Sequence, residues 1–278
     1  EQLTHSTEES FFAVSYVPNG NGFLYSADKG GDENSHIYWV DSDGNTVDIT
    51  PFEGSQSSFA GWSRDDQYLY FVSNKRNPRF FDLYEKKVDN LANAEAYTLI
   101  YQNDSGLDVG SMSEDKRYMA LTKTITTTNN EVYLYDNTTK EMKHISEHEG
   151  DAQYSPQFFD RTNEHLYLMA NEGSEYMYFA RYDIANGEMS KVEEKDWDMM
   201  YAYTSYNEKY RVIGVNEDAK TSVYLLDQES NKAVDLPDIP GGSISSVSIS
   251  RSEKLMRLAV STSASPSNMF LYNIESGE

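Results

Sequence analysis

A repeat of about 46 residues runs through the whole sequence and restricts the fold more than any other feature. In each copy a segment of strand character ends on an acidic or amide residue, and these end points follow one another at intervals of 44 to 48 residues. A fixed period of this length is typical of propellers and solenoids, in which every repeat is one supersecondary unit. The end points are Asp41, Asp89, Asp136, Asp183, Asp227 and Asn273.

Each of the first five repeats contains four short segments of strand character, and the sixth contains three. The second segments are rich in aromatic and branched residues, and a polar turn precedes each of them. The fourth segments are shorter and more polar, as expected for outer strands that must avoid edge-to-edge pairing. A solenoid would carry distinct terminal caps. The pattern instead predicts an all-β chain, a six-bladed β-propeller of four-stranded antiparallel blades. The second segments are 23–27, 68–73, 118–122, 166–170, 210–215 and 256–261.

The period also predicts where the blades divide, within one domain that covers residues 1–278. The sixth repeat stops just past its third segment, and residues 1–4 resemble a fourth segment. We therefore expect either that residues 1–4 complete the last blade or that further sequence follows residue 278. The one candidate helix, residues 88–96, is expected to be a loop between strands. The expected blades are approximately 8–50, 51–101, 102–147, 148–193, 194–236 and 237–278.

Composition limits the class of partner. The chain carries 46 acidic and 23 basic residues, a net charge of -23. A field of this sign argues against nucleic acids and anionic membranes as partners. No apolar run approaches the length of a transmembrane helix. The chain has no cysteine, which excludes disulfides, thiolate catalysis and zinc–thiolate sites.

No catalytic constellation is visible in the sequence. The strand-to-helix serine elbow Gly-x-Ser-x-Gly is missing, and its nearest match, Gly241-Gly242-Ser243-Ile244-Ser245, lacks the last glycine. The segment Asp41-Ser42-Asp43-Gly44 departs from a calcium loop and favours a hairpin turn. The five histidines are predicted to lie on the surface, without metal-ligand spacing. We therefore predict no catalytic residue, no metal and no cofactor for this chain.

One basic cluster stands out in this acidic chain. Lys75, Arg76 and Arg79 fall in the predicted loop 74–80, between the second and third strands of the second blade. They are the candidate residues for binding a carboxylate ligand or for docking another domain. The alternative is that they pair internally with neighbouring Asp and Glu residues. Because exposed loop charges contribute little to stability, we expect the change of all three to Ala to leave the fold intact.

Several motifs resemble those of a known family. Trp62-Ser63-Arg64-Asp65-Asp66 resembles the W-S-P-D-G turn of TolB-type propeller repeats, and Asn77-Pro78-Arg79-Phe80-Phe81-Asp82-Leu83-Tyr84 is more specific. Together with the motifs below, they resemble the N-terminal propeller of bacterial serine peptidases of the prolyl oligopeptidase family, over essentially all of the chain. The other motifs are His148-Glu149-Gly150-Asp151-Ala152-Gln153-Tyr154-Ser155, Asp196-Trp197-Asp198, Asn216-Glu217-Asp218 and Leu236-Pro237-Asp238-Ile239-Pro240.

The resemblance implies a function for the parent protein, but it assigns no catalytic role to any residue of this chain. In the family a propeller precedes an α/β-hydrolase domain that carries the Ser, Asp and His triad, and none of these positions falls in this chain. The expected partners are such a C-terminal hydrolase domain and a peptide substrate, and the expected role is to gate peptide access. Glu8-Glu9 and Glu193-Glu194 do not match the paired glutamates of the dipeptidyl peptidase branch. A periplasmic or secreted location is implied by the family's usual export.

Two rival functions follow from the same sequence. The chain could be a free-standing TolB-like periplasmic or extracellular scaffold that binds a protein or a peptide. It could also be a propeller lyase or glycosidase, which would need catalytic acids or a metal, and no motif for either is present. The reading frame beyond residue 278 separates the first of these rivals from the peptidase domain.

Overall fold

The computed structural model describes residues 4, 6–7, 9–237, 239, 242–262 and 265–278. Within them the chain forms 23 strands and two short 3-10 turns, and no α-helix. Two compact units can be distinguished, residues 1–109 and 110–278. No helix in the described part of the chain is long and apolar enough to cross a membrane. The predicted closing strand at residues 1–4 lies outside the described residues, apart from Thr4.

The first unit contains two four-stranded antiparallel sheets, each with its strands in chain order. The first sheet consists of β1 (Phe12–Tyr16), β2 (Phe23–Ala27), β3 (His36–Val40) and β4 (Thr46–Asp48). The second sheet consists of β5 (Ser57–Trp62), β6 (Tyr68–Asn77), β7 (Phe80–Lys87) and β8 (Thr98–Tyr101). The predicted loop at 88–96 is confirmed and includes a 3-10 turn at Val88–Asn90.

The remaining four sheets follow the same order along the chain. The third has β9 (Asp108–Met112), β10 (Tyr118–Thr126), β11 (Asn129–Asp136) and β12 (Glu141–His144). The fourth has β13 (Tyr154–Phe159), β14 (His165–Ala170), β15 (Tyr178–Asp183) and β16 (Met189–Glu193). The fifth has β17 (Asp198–Thr204), β18 (Tyr210–Glu217), β19 (Lys220–Asp227) and β20 (Lys232–Val234). The sixth, counted on the described residues, has β21 (Gly242–Ile249), β22 (Leu255–Thr262) and β23 (Ser265–Asn273).

These sheets confirm the predicted fold class, an all-β six-bladed propeller of antiparallel blades. The alternation that predicted the strands is visible in their burial. In β14, for example, Leu166 and Leu168 are fully buried, whereas Tyr167 between them is only partly so. Side chains at every second position point to the same face of a strand, and on the opposite face of β14 Met169 is also fully buried, in a second apolar cluster, so this strand is covered on both faces.

The turn between the first and second strands has the same construction in most sheets. In the second sheet the Ser63 hydroxyl oxygen accepts the Tyr68 backbone N–H at 2.8 Å and donates to Asp65. The next residue, Asp66, is left-handed, with φ of 61°. Short polar side chains stabilise such turns by bonding to the nearby backbone. Serines at 113, 205 and 250 make the same backbone contact.

Apolar clusters lie between neighbouring sheets within each unit. In the first unit Leu24, Ile37, Leu69 and Phe71 are fully buried in one such cluster. In the second unit the largest cluster centres on Tyr154, Tyr182 and the leucines of β14. Burial of this area is the main favourable contribution to folding, at roughly 25 cal/mol per Å².

Candidate functional site at the tip of the β6–β7 hairpin

The three predicted cations lie on one hairpin, but the predicted loop 74–80 is wrong in its extent. β6 continues to Asn77, which pairs with Phe80, so only Pro78 and Arg79 form the turn. The register shifts between the Ser73–Asp82 pair and the Asn77–Phe80 pair. A shift of this kind is a β-bulge, which leaves extra residues on one strand and redirects their side chains. Lys75 and Arg76 are the residues redirected in this way.

Arg76 is engaged within the domain. Its Nε and Nη2 atoms donate to the two carboxylate oxygens of Asp82, at 2.7 and 2.9 Å. Nη2 also donates to the carbonyl oxygen of Asn103 at 2.8 Å, and Nη1 lies 3.0 Å from Asp104. The fork of the guanidinium suits this two-point contact with a carboxylate. Arg76 therefore ties the hairpin to the segment that follows β8.

Asp82 is the buried centre of this network. Its side chain has no exposed surface, and it accepts further hydrogen bonds from the Asn103 backbone N–H and the Tyr84 hydroxyl. Burial raises the pKa of Asp82, but the hydrogen bonds from Arg76, Asn103 and Tyr84 outweigh burial and hold the pKa below its usual value of 3.8. Arg76 in turn has a raised pKa because it donates to Asp82. A buried carboxylate needs such partners, since burial alone disfavours its charged form.

Lys75 is held among aromatic rings. Its ammonium lies 3.8 Å from the ring centroid of Tyr97 and 4.0 Å from that of Phe52, and it donates to the Tyr97 hydroxyl. A third ring, that of Tyr84, is 5.3 Å away. An ammonium placed over aromatic faces is stabilised by their negative quadrupoles. Lys75 is therefore a packing element of the blade.

The loop that carries Tyr97 depends on a buried lysine. Lys86 is 1% exposed, and its ammonium donates to the carbonyl oxygens of Asn93 and Ala96. Burial lowers the pKa of Lys86 to about 8, although Glu95 opposes this effect. Two backbone carbonyls replace only part of the water that the ammonium loses. Lys86 thus fixes the end of the loop from which Tyr97 reaches Lys75.

Arg79 differs from its two neighbours. It is exposed at the tip of the hairpin, and it has no ion pair with any residue that the structure describes. The carbon of its guanidinium lies 5.5 Å from the centroid of the Phe80 ring. Its backbone N–H donates to the side-chain oxygen of Asn77 at 3.1 Å. Of the three predicted cations, Arg79 is the one that remains a candidate for binding a carboxylate.

The predicted site therefore divides into two internal cations and one external cation. Internal pairing, the alternative in the sequence, applies to Arg76, while Lys75 has aromatic partners. The sequence did not identify Asp82 or Asn103 as part of the same cluster. Asp82 could have been noticed in the sequence, because it directly follows the aromatic residues Phe80 and Phe81 and lies close to three cations. A carboxylate in such an apolar segment is expected to be buried only if it is paired with a cation.

Other sequence predictions meet different outcomes. The hairpin turn at Asp41 is confirmed, because Asp41 accepts the backbone N–H groups of Asp43 and Asn45. Of the five histidines, His5 lies outside the described residues. The other four are all partly buried and have internal hydrogen-bond partners, for example His36 with Asp48 and His165 with Asp160, so the prediction of exposed surface histidines is wrong for them. Among the described residues no group of three His, Asp or Glu side chains could hold a metal ion.

The adjacent glutamates at 193 and 194 are paired with cations. Glu193 lies 2.9 Å from Arg211 and 3.4 Å from Lys195, and Glu194 lies 2.5 Å from Lys191. Cations at this distance compete with any external amine for the carboxylates. Two cavities, of about 320 and 140 Å³, open elsewhere in the first unit, and neither is lined by Lys75, Arg76 or Arg79.

Three solved structures share the fold. A prolyl endopeptidase superposes with a TM-score of 0.70 at 12% sequence identity, and the match covers 99% of this chain and 42% of the endopeptidase chain. Prolyl oligopeptidase B from Galerina marginata superposes with a TM-score of 0.66 at 17% sequence identity, and the match covers 96% of this chain and 40% of the oligopeptidase chain. TolB from Acinetobacter baumannii superposes with a TM-score of 0.60 at 14% sequence identity, and the match covers 95% of this chain and 61% of the TolB chain. The chain thus spans less than two thirds of the length of each.

Sequence comparison identifies the family. No curated protein matches the chain. The model of the prolyl oligopeptidase N-terminal β-propeller domain matches residues 4–278, which is nearly the whole chain. The chain therefore belongs to the family of N-terminal β-propeller domains of prolyl oligopeptidases.

Proposed function

We propose that this chain is the non-catalytic propeller domain of a serine peptidase, and that it controls the access of peptides to a hydrolase domain in the same polypeptide. The observation that carries the proposal is the family match over residues 4–278. The coverage supports it, since the matched prolyl endopeptidase is more than twice as long as its matched part. The sequence itself lacks a nucleophile elbow, so the chemistry belongs to the partner domain.

The architecture suits a filter. The β6–β7 hairpin is held in place, because Asp82 joins Arg76 to Asn103 in the segment that follows β8. A rigid scaffold with exposed tips can exclude large or folded substrates while it admits short and extended peptides. The peptides admitted by such a filter are limited by size and flexibility. We propose a periplasmic or secreted location for the parent protein, on family resemblance.

The experiment compares the product of the complete reading frame with residues 1–278 alone. A fluorophosphonate probe, which labels active serine hydrolases, is expected to label the complete product and not the isolated chain. Chromogenic proline substrates and peptides of increasing length then test the filter. We expect the complete product to cleave short peptides and to reject long ones, and the hydrolase domain alone to lose this discrimination. A complete product that is not labelled would refute the proposal.

A second candidate function is a free-standing binding scaffold. The observation that favours it is the likeness to TolB. The match covers 95% of this chain and 61% of the TolB chain, whereas the match to the prolyl endopeptidase covers only 42% of that enzyme. A reading frame that ends near residue 278 would select this function. In that case the search for a ligand would move to protein or peptide partners.

A further inference from the structure

We propose that Arg79, supported on the Phe80 ring at the tip of the β6–β7 hairpin, binds the C-terminal carboxylate of a peptide. The choice of a peptide as the ligand rests on the proposed function. The carboxylate itself follows from the chemistry of the tip, and four observations lead to it.

The first observation is the isolation of Arg79 in an acidic protein. Acidic residues outnumber basic ones by 46 to 23. Exposed cations without an ion pair, such as Lys87, also occur elsewhere among the described residues, so this observation counts only together with the position of Arg79 at the hairpin tip. Nearby Asp82 and Asp104 are already engaged by Arg76. Among the described residues Arg79 has no ion pair with an acid, and the residue is exposed to solvent. Five donors in a planar fork are therefore available to an external acceptor.

The second observation is that the hairpin projects beyond its sheet. β5 pairs with β6 only as far as Ser57 with Ser73, and β8 pairs with β7 only as far as Tyr101 with Leu83. The hairpin continues past these pairs to the Asn77–Phe80 pair. Arg79 thus stands on a two-stranded extension, where an extended ligand can approach without displacing a neighbouring strand.

The third observation is the rigidity of the tip. Phe80 packs against Gly106 so closely that an added Cβ there would lie 2.8 Å from the ring. Asn77 holds the Arg79 backbone N–H, and Arg76 ties the bulge to Asp82 and Asn103. A fixed backbone and a ring under the guanidinium reduce the conformational freedom that binding would otherwise remove. Guanidinium groups stacked on aromatic rings are well suited to bidentate recognition of carboxylates.

The fourth observation selects between the two sources of a carboxylate. An acidic surface on another domain would bring many negative charges towards a chain whose net charge is -23. A peptide brings one terminal carboxylate and can otherwise be neutral or basic, so the field of the chain opposes it far less. Charge complementarity therefore favours the terminus of a peptide over an acidic docking surface.

The test measures binding and needs no catalysis. A short, N-acetylated, proline-containing peptide is titrated into residues 1–278 in two forms, with a free C-terminal carboxylate and with a C-terminal amide. We expect the acid to bind about two- to five-fold more tightly than the amide, the range for an exposed ion pair. The preference should fall as salt is added. Arg79→Gln should abolish it, and Arg79→Lys should retain part of it.

Lys87→Gln is the matched control, because Lys87 is an exposed cation at the other end of the same hairpin. It should keep the full preference. Equal affinity of the wild-type chain for acid and amide would overturn the proposal, as would an Arg79→Gln variant that still prefers the acid. If Arg79→Gln instead weakens only the association with a separately expressed hydrolase domain, Arg79 is a docking residue and the peptide proposal fails. None of these results depends on serine labelling, so failure here is distinct from failure of the proposed function.

Discussion

Arg76 and Asp82 are joined by two hydrogen bonds, of 2.7 and 2.9 Å, between a partly exposed guanidinium and a fully buried carboxylate. This relationship changes the role of the basic cluster. The sequence suggested that all three cations could be removed without effect on the fold. From the structure we expect a cost in stability at Arg76, because its removal leaves a buried charge without its main partner.

The first prediction concerns Arg76. Arg76→Ala should lower the melting temperature by several degrees, because Asp82 loses two charge-assisted hydrogen bonds in a buried position. Arg79→Ala, only three residues away and exposed, should leave the melting temperature nearly unchanged. Thermal unfolding followed by circular dichroism measures both. Equal effects of the two substitutions would contradict the assignment of Arg76 as the internal cation.

The second prediction follows from the low pKa of Asp82. Folding lowers this pKa below 3.8, so the unfolded chain binds the proton more tightly. The stabilisation is therefore full above the ordinary pKa and is lost as the pH falls through the folded-state value. Urea unfolding of wild type and Asp82→Asn should show a free-energy difference that is constant near neutral pH and shrinks in acid. A difference that does not change with pH would show that the charge of Asp82 is not responsible.

The third prediction concerns Lys86, whose pKa falls from 10.5 to about 8 on burial. Below pH 8 the lysine is charged in both states, and burial of the charge opposes folding. Between about pH 8 and 10.5 the folded chain releases the proton before the unfolded chain does, so stability rises with pH. Lys86→Met has no such titration. We expect the free energy of unfolding of wild type, measured relative to that of Lys86→Met, to increase across this window. Taking the difference between the two proteins cancels the titration of the tyrosines that both contain.

The fourth prediction concerns a link between neighbouring turns of the second unit. Glu253, 8% exposed and left-handed, accepts the backbone N–H of Asn207 at 2.7 Å and the hydroxyl of Ser205. Burial raises the pKa of Glu253, but these hydrogen bonds outweigh burial and lower it. Glu253→Ala should cost about 1–3 kcal/mol, because it leaves the buried Ser205 hydroxyl without its acceptor and removes the hydrogen bond from the Asn207 backbone N–H. Glu229→Ala, at an exposed turn, is the control and should change stability by less than about 0.5 kcal/mol; chemical denaturation measures both.

The fifth prediction separates backbone strain from packing at the hairpin tip. Gly106 and Gly54 both have positive φ, of 73° and 65°, but only at Gly106 would a Cβ meet another residue, the ring of Phe80. Alanine at either site should cost about 1–2 kcal/mol for the left-handed backbone. Gly106→Ala should cost more and should also displace Phe80, which NMR shifts of its ring protons would report. Equal costs at the two sites would show that the contact with Phe80 is not restrictive.

Much of the fold could be predicted from local pattern. The repeat, the polar turns and the alternating strands predicted the six sheets, because alternation of apolar and polar residues is a property of each strand by itself. The second strand of the first sheet was predicted at 23–27 and is found at Phe23–Ala27. The second strand of the next sheet was predicted to end at residue 73 and continues to Asn77. A polar segment in a projecting hairpin carries no burial alternation, so its strand character was not visible.

The sequence alone therefore determined the class of fold, the order of the strands and the cluster of cations on one hairpin. Only the tertiary structure decided which of the three cations have internal partners. That decision depends on the register shift between Ser73 and Asn77 and on the segment around Asn103, which lies far along the chain. Together they place Arg76 beside Asp82 and leave Arg79 at the tip. The physical reason is that burial and pairing of a charge are set by contacts between segments, whereas strand formation is set largely within each segment.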